Sequence, residues 1–475
     1  MPDLKSPESQ IKAPQTWLDH LCLMKGRDDP LSHTRLEKHT IVAIVTLSAF
    51  TAPFASCILF PSFTTLVDHF HTSETRVALT TTVFLIGLAI APLWWSSLSQ
   101  EYGRRPILLI SFVLSAVAAI ICAVANSISL VIGFRFIEAL GCSSAQSVGA
   151  GVIGDVFIPT DRGSALGCFY LGTLIGPLIA PIIGGALQVW LGWRSTLYFM
   201  AIFTGATALI TALALPETRT LSQGPVIADQ ERQQPRPTWP QRLKRDALAP
   251  VPKLKYLLVP SIALCILYVS ICFASLYCFN TTLPYAYMAP PYNFSAIEVG
   301  LCYISNCLGY AIGSAVGGKL SDAALRRYAA THNGETKAIA RIHTIWYGVV
   351  FVPMGLLLYG WLVERQVQWV APLVGAFLFG LGLMLVTSTV MPFLVDVIPG
   401  VGASVVADLN LVRNLLAAVG TVVSPIAAAS IGYGWWMTIL AAFCASATGC
   451  VVVVVWMERS REESDNIQTL PVSTV

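Results

Sequence analysis

Twelve predominantly apolar runs follow one another along this chain, at roughly 40–66, 77–98, 106–125, 129–154, 164–189, 195–215, 257–282, 297–319, 340–362, 367–390, 404–429 and 434–457. A bilayer core about 30 Å thick is crossed by about 20 residues of helix. Inside it, only helices and closed barrels satisfy their own backbone hydrogen bonds. The runs therefore predict an all-α membrane protein with twelve transmembrane helices. Composition agrees. Of 475 residues, 55% are hydrophobic and 12% charged, against about 25% charged in a soluble domain. A water-solvated chain of this length could not hide so much apolar surface. A cytosolic enzyme, a nucleic-acid binder and a secreted disulfide scaffold are excluded on that ground, and no nucleic-acid partner is expected. The net charge of +3 selects no partner. The cysteines from Cys57 to Cys450 lie in apolar runs and no C-x-x-C pair occurs. They read as small buried hydrophobes, with no metal and no cofactor expected.

The runs divide six and six. Residues 1–39 are polar and proline-bearing and read as a flexible tail. Residues 40–215 form the first six-helix bundle and 216–256, rich in Pro, Gln and Arg, a linker. Residues 257–457 form the second bundle and 458–475 a tail. Lys and Arg are retained on the cytoplasmic side. With the N-terminus inside, 24 basic residues fall inside and three outside, namely Arg76, Arg194 and Arg365. Both termini are thus expected in the cytoplasm. Two N-x-S/T sequons fall outside, at Asn280 and Asn293, with Asn293 the better acceptor because Asn280 lies closer to the membrane.

The expected loop after the second run reads SSLSQEYGRRP (96–106), and that after the eighth GGKLSDAALRR (317–327). Matched motifs in matched places point to parallel six-helix repeats, the build of transporters whose two bundles rock about a central site. Here the sequence resembles the major facilitator superfamily over most of residues 40–457. Gly103, Arg104 and Arg105 match its G-x-L-S-D-x-x-G-R-R motif, whereas the motif's aspartate is Gln100 and its first glycine Ser96. The second copy keeps Asp322, with Arg326 and Arg327. The resemblance implies a charge latch at these junctions, weakened at Gln100 or supplied by Glu101. The fifth run, GSALGCFYLGTLIGPLIAPIIGG (163–185), resembles the antiporter motif of the drug:proton branch through Gly172, Gly176, Pro177, Gly184 and Gly185. Pro177 lacks an N–H and bends its helix, and the glycines admit a close neighbour. With Gly309, Gly313 and Gly317 in the eighth run, two glycine faces are expected to meet as a seam on which the halves pivot. LPET (215–218), YNFSAIEVGLCYI, FLVDVIPG (393–400) and NLVRNLLAAVG (410–420) extend the resemblance to fungal twelve-helix exporters of quinidine-type drugs, polyamines and organic acids.

A charge inside the bilayer is costly and calls for a reason. Arg135 and Glu138 lie three residues apart, on one face of the fourth helix. Glu138 is about 15 Å from the outer end by helix rise, near the midplane. Arg135 matches the family's R-x-x-Q-G pattern, with Glu138 in place of its glutamine. Three roles stay open: a proton relay, a permanent ion pair and a substrate anchor. Asp408 is expected at the cytoplasmic mouth of the eleventh helix. Arg413 lies deeper, either facing a cavity or paired with Asp396. Asp155, Asp161 and Arg162 are expected in gate salt bridges with Arg104. Aromatic residues cluster in the seventh run, with Tyr303 and Tyr310 following in the eighth. Tyr285 and Tyr287 are expected at the outer interface, and Tyr268 and Tyr277 either line a cavity or pack. The resemblance implies a monomeric exporter of small organic molecules such as drugs, organic acids or secondary metabolites. It would exchange them for protons at a cell membrane, with a vacuolar or other internal membrane as the alternative. An uptake symporter on the same fold and an integral-membrane enzyme compete with it. The enzyme would need clustered His, Asp or Cys nucleophiles that the spans lack.

Overall fold

The computed structural model describes residues 30–218, 251–331, 339–397 and 402–468, with Met24. Much of the two tails (1–39 and 458–475) and of the 216–256 linker lies outside the described residues. So do the side chains of Asp161, Arg162 and Asp396. Twelve helices are long and apolar enough to cross a membrane. They are α1 (Arg35–Phe70), α2 (Glu74–Tyr102), α3 (Arg104–Ala123), α4 (Ile128–Val156), α5 (Ala165–Leu191) and α6 (Arg194–Ala214), then α7 (Pro260–Met288), α8 (Ala296–Thr331), α9 (Ile339–Glu364), α10 (Val370–Leu394), α11 (Val405–Ile431) and α12 (Tyr433–Met457). The α2–α3 turn and the α4–α5 junction lie on the side that also holds both ends of the described chain, the near side. The α1–α2 and α3–α4 turns lie on the far side.

Helix pairing exposes the repeat. In the first half α1 packs on α5, α2 on α4, α3 on α4, and α3 on α6. In the second half α7 packs on α11, α8 on α10, α9 on α10, and α9 on α12. Adding six to each label converts one list into the other. The halves meet through α2 with α11 and through α5 with α8, and this pair of contacts is also exchanged by the same operation.

The helices obey bilayer rather than aqueous logic. On α3 the exposed stripe is Ile110, Val113, Val117 and Ile120, while the buried stripe carries Ser111 and Ser115. Lipid is as apolar as leucine, so small and polar residues move to the helix–helix contact, where backbones approach and hydroxyls find partners. Ser111 bonds Ser144 of α4 at 2.5 Å, and a Cβ on Gly141 would lie 2.5 Å from the Ser111 carbonyl oxygen.

Several ends differ from the sequence expectation. Helix α1 starts at Arg35, not 40, because Thr34 and Glu37 cap it reciprocally. The 317–327 motif is no loop: α8 continues through it to Thr331. In 96–106 only Gly103 leaves the helices, at φ +104°. Residues 251–258, which end the linker and open the second bundle, form a 3-10 helix against α7 and α11. The helix of α12 runs on to Gln468, into the stretch read as a tail.

Candidate functional site

Arg135 and Glu138 are both fully buried, and their side chains pair at 3.1 Å. Arg135 also donates to the Ala55 carbonyl of α1 at 2.9 Å. Its guanidinium lies 4.2 Å from the centre of the Phe84 ring of α2. One Glu138 oxygen and the Arg135 Nε have no partner. The pair is thus wedged between α1, α2 and α4, balanced in charge and incompletely hydrogen-bonded. In low dielectric an ion pair gains little over neutral packing, yet stripping one partner costs about 3–5 kcal/mol.

The next residues of α1 carry the contact across to the other half. Ser56 donates to the Pro53 carbonyl at 2.7 Å and lies 3.1 Å from the Tyr277 hydroxyl of α7. Ser56 has one hydroxyl proton, already given to Pro53, so Tyr277 donates to Ser56. Arg413 of α11 sits 4.6 Å from the centre of the Phe273 ring, within electrostatic reach of Tyr277 and of Tyr170 on α5. Ala55, Ser56 and Tyr277 therefore link the Arg135–Glu138 pair to the surroundings of Arg413. Tyr268, Tyr287, Tyr303 and Tyr310 are buried in the packing: Tyr303 donates to the Asn280 carbonyl at 2.7 Å and Tyr287 to that of Trp369 at 3.0 Å.

The far side is closed by contacts between the halves. Thr82 of α2 meets Thr421 of α11 at 2.6 Å, and Thr64 donates to the Met288 sulfur at 2.7 Å. Phe60 of α1 stacks parallel to Tyr303 of α8 at 6.2 Å, and Phe63 lies against Tyr285. Sequence periodicity alone carries no sign of the Thr82–Thr421 pair, because each threonine looks like any other small polar helix residue.

At the near side Arg104 donates to Asp155 at 3.1 Å and to Ser99 at 2.8 Å, the salt bridge expected for Asp155. Glu217 of the LPET segment accepts from the backbone N–H groups of Arg104 and Arg105, at 2.9 and 3.1 Å. A carboxylate on the first N–H groups of α3 also meets the positive end of its dipole. A Cβ at Gly103 would come within 2.6 Å of that carboxylate, so the glycine serves both the turn and the cap. Arg105 is buried and donates to the Ala212 carbonyl. In the second half Asp322 pairs with Arg341 of α9 at 2.8 Å. Arg326 is exposed, and no ion pair joins it to Asp322.

Of the glycines expected at the seam only Gly185 meets the other half; Gly317, for one, lies against Ser388 of α10. A Cβ at Gly172 would lie 2.6 Å from the Thr46 carbonyl oxygen, one at Gly176 2.9 Å from the Phe54 nitrogen, and one at Gly184 would overlap the Ile58 carbonyl. All three partners are on α1. Likewise Gly309 would overlap the Phe377 carbonyl and Gly313 would lie 2.5 Å from that of Leu381, both on α10. These glycines bring helices together within each half and do not face each other. The boundary between α5 and α8 is tight at the expected Gly185, against the Ala296 carbonyl, and at Gly300, 2.5 Å from the Pro181 carbonyl. Pro177 lies inside the helix, as expected. The Asn280 expectation also fails: it is buried within α7, where no glycan fits. Asn293 is exposed in the α7–α8 connection.

Two repeat-related six-helix bundles, closed on one side and joined around buried charges, define a secondary transporter. The chain belongs to the Major Facilitator Superfamily, whose sequence profile matches residues 45–421. It is similar to the MFS antiporter QDR3 of Candida albicans, 28% identical over 92% of this chain and 80% of that protein. It is also similar to quinidine resistance protein 3 of Saccharomyces cerevisiae, 27% identical over 95% and 87%. The fold matches the xylose transporter XylE from E. coli in a partially occluded inward-open conformation. The TM-score is 0.65 and the identity 15%, covering 90% of this chain and 98% of that one. Its family and these relatives are transporters, not enzymes.

Proposed function

We propose that this protein exports small organic compounds, such as drugs, organic acids or secondary metabolites, in exchange for protons by alternating access. The observation that carries this reading is the Arg135–Glu138 pair, buried and joined through Ala55 and Ser56 to Tyr277 of the opposite half. A carboxylate in such a place binds a proton when its ion pair is loosened. The neighbouring α1 backbone transmits that change to a contact between the halves. The relatives' names, an antiporter and a quinidine resistance protein, support export. The 24-to-3 charge bias supports cytoplasmic termini, an external far side and Asn293 as a glycan acceptor. Arg104 with Asp155, and Asp322 with Arg341, brace the near-side gate from within each half, with Gly103, Arg105 and Arg326 around them. The protein works as a monomer in the cell membrane.

Quinidine accumulation in cells producing the chain tests the direction. A protonophore raises internal quinidine in these cells relative to cells lacking the chain if it exports. A fall on the same treatment identifies an uptake symporter and overturns export. Glu138→Gln removes the titrating group, and efflux unchanged across pH in that variant overturns its role.

A further inference from the structure

Asp408, on α11 about one turn from its near-side end, is fully buried, and neither carboxyl oxygen has a hydrogen-bond partner. This contrasts with Glu138, which has Arg135 beside it. Helix α11 is packed by α2, α7, the 251–258 helix, α10 and α12. Toward the near side these neighbours carry Glu101 and Tyr102, Cys265 and Tyr268, Lys255 and Tyr256, and Cys450. The side chains of Asp396 on α10 and of Lys253 on the 251–258 helix lie outside the described residues. None of the described groups pairs with Asp408. On its own helix Arg413 is five residues away and turned onto Phe273. A bare carboxylate stripped of water with no cation and no donor is among the costliest states a side chain can take. A neutral carboxylic acid in the same place loses far less.

We propose that Asp408 is a second proton-binding site, occupied in this conformation, on the half of the molecule opposite Glu138. Its proton leaves when movement of α11 against α2 and the 251–258 helix lets water reach the carboxyl. The O–H bond then breaks, the proton passes to that water and the carboxylate remains hydrated. In the conformation described here the protein thus carries its proton on Asp408, while Glu138 stays ionised against Arg135. The site deepens the proton-coupling reading, and only its transport arm rests on that reading.

Hydrogen/deuterium difference infrared spectra of the full chain in lipid nanodiscs test the site without a substrate. At neutral pH a carbonyl stretch of a protonated carboxylic acid is expected, lost in Asp408→Asn and kept in Glu138→Gln. A wild-type spectrum without that band, or one that Asp408→Asn leaves unchanged, overturns the proposal. If Asp408→Asn does not reach the membrane, Asp408→Glu serves, since it moves the band instead of deleting it; an unmoved band is then the overturning result. In vesicles loaded with quinidine, Asp408→Asn is expected to lose at least tenfold of the efflux driven by a pH gradient. A wild-type chain that keeps the band but shows no gradient-driven efflux removes the export reading and upholds the proton site.

Discussion

Glu138 and Asp408 are both carboxyl groups without access to solvent, yet their surroundings ask opposite things of them. Glu138 neutralises a buried guanidinium, so its charge helps to hold α4 to α1 and α2. Glu138→Gln leaves Arg135 unbalanced beside Phe84 and is expected to cost about 3–5 kcal/mol. Asp408 has no cation to balance, so Asp408→Asn exchanges one neutral group for another of the same shape and should cost less than about 1 kcal/mol. Thermal unfolding of the two purified variants at neutral pH checks this. A clear fall in melting temperature is expected for Glu138→Gln and little change for Asp408→Asn. Equal falls would mean that Asp408 is ionised and held by a partner.

At the scale of helices, the glycine pattern of the fifth run is legible as close packing but not as to its partner. A motif shows that a neighbour comes near; only the fold shows that the neighbour is α1. Gly184→Ala drives a methyl group into the Ile58 carbonyl within one half and should destabilise that bundle by about 1–3 kcal/mol. Gly205→Ala on α6, where a Cβ meets nothing, should be neutral or slightly stabilising. Comparing the melting temperatures of the two variants decides whether contact or mere helix propensity matters. The number and order of the helices can be read from the apolar runs, because bilayer thickness fixes their length. Their ends cannot, since α8 and α12 extend beyond the bilayer in polar, helix-competent sequence. The Arg104–Asp155 tie is also readable, but the Glu217 cap is not. It joins residues 113 positions apart, a distance over which local pattern is silent. Glu217→Gln keeps the acceptor geometry but removes the charge on the α3 amides. A loss of about 0.5–1 kcal/mol is expected from the helix dipole, read as a small drop in melting temperature that raised salt reduces.

Across the whole molecule, the two halves touch through helices that the repeat exchanges, α2 with α11 and α5 with α8. A rocking motion about such an axis must open the near side as it closes the far side, and the reverse; here the far side is the closed one. The Thr82–Thr421 contact, 2.6 Å between hydroxyls, therefore belongs to a single state of the cycle. Side chains this close on facing helices are near the separation that a disulfide spans. Thr82→Cys combined with Thr421→Cys, in a background where the native cysteines that label are replaced, should cross-link under oxidation. Transport should then stop, and a reductant should restore it. Each single cysteine variant should keep transport under the same oxidant, which separates locking from damage. Full transport by the cross-linked chain would show that the far side does not open during the cycle, and the alternating-access account of these two bundles would then fail.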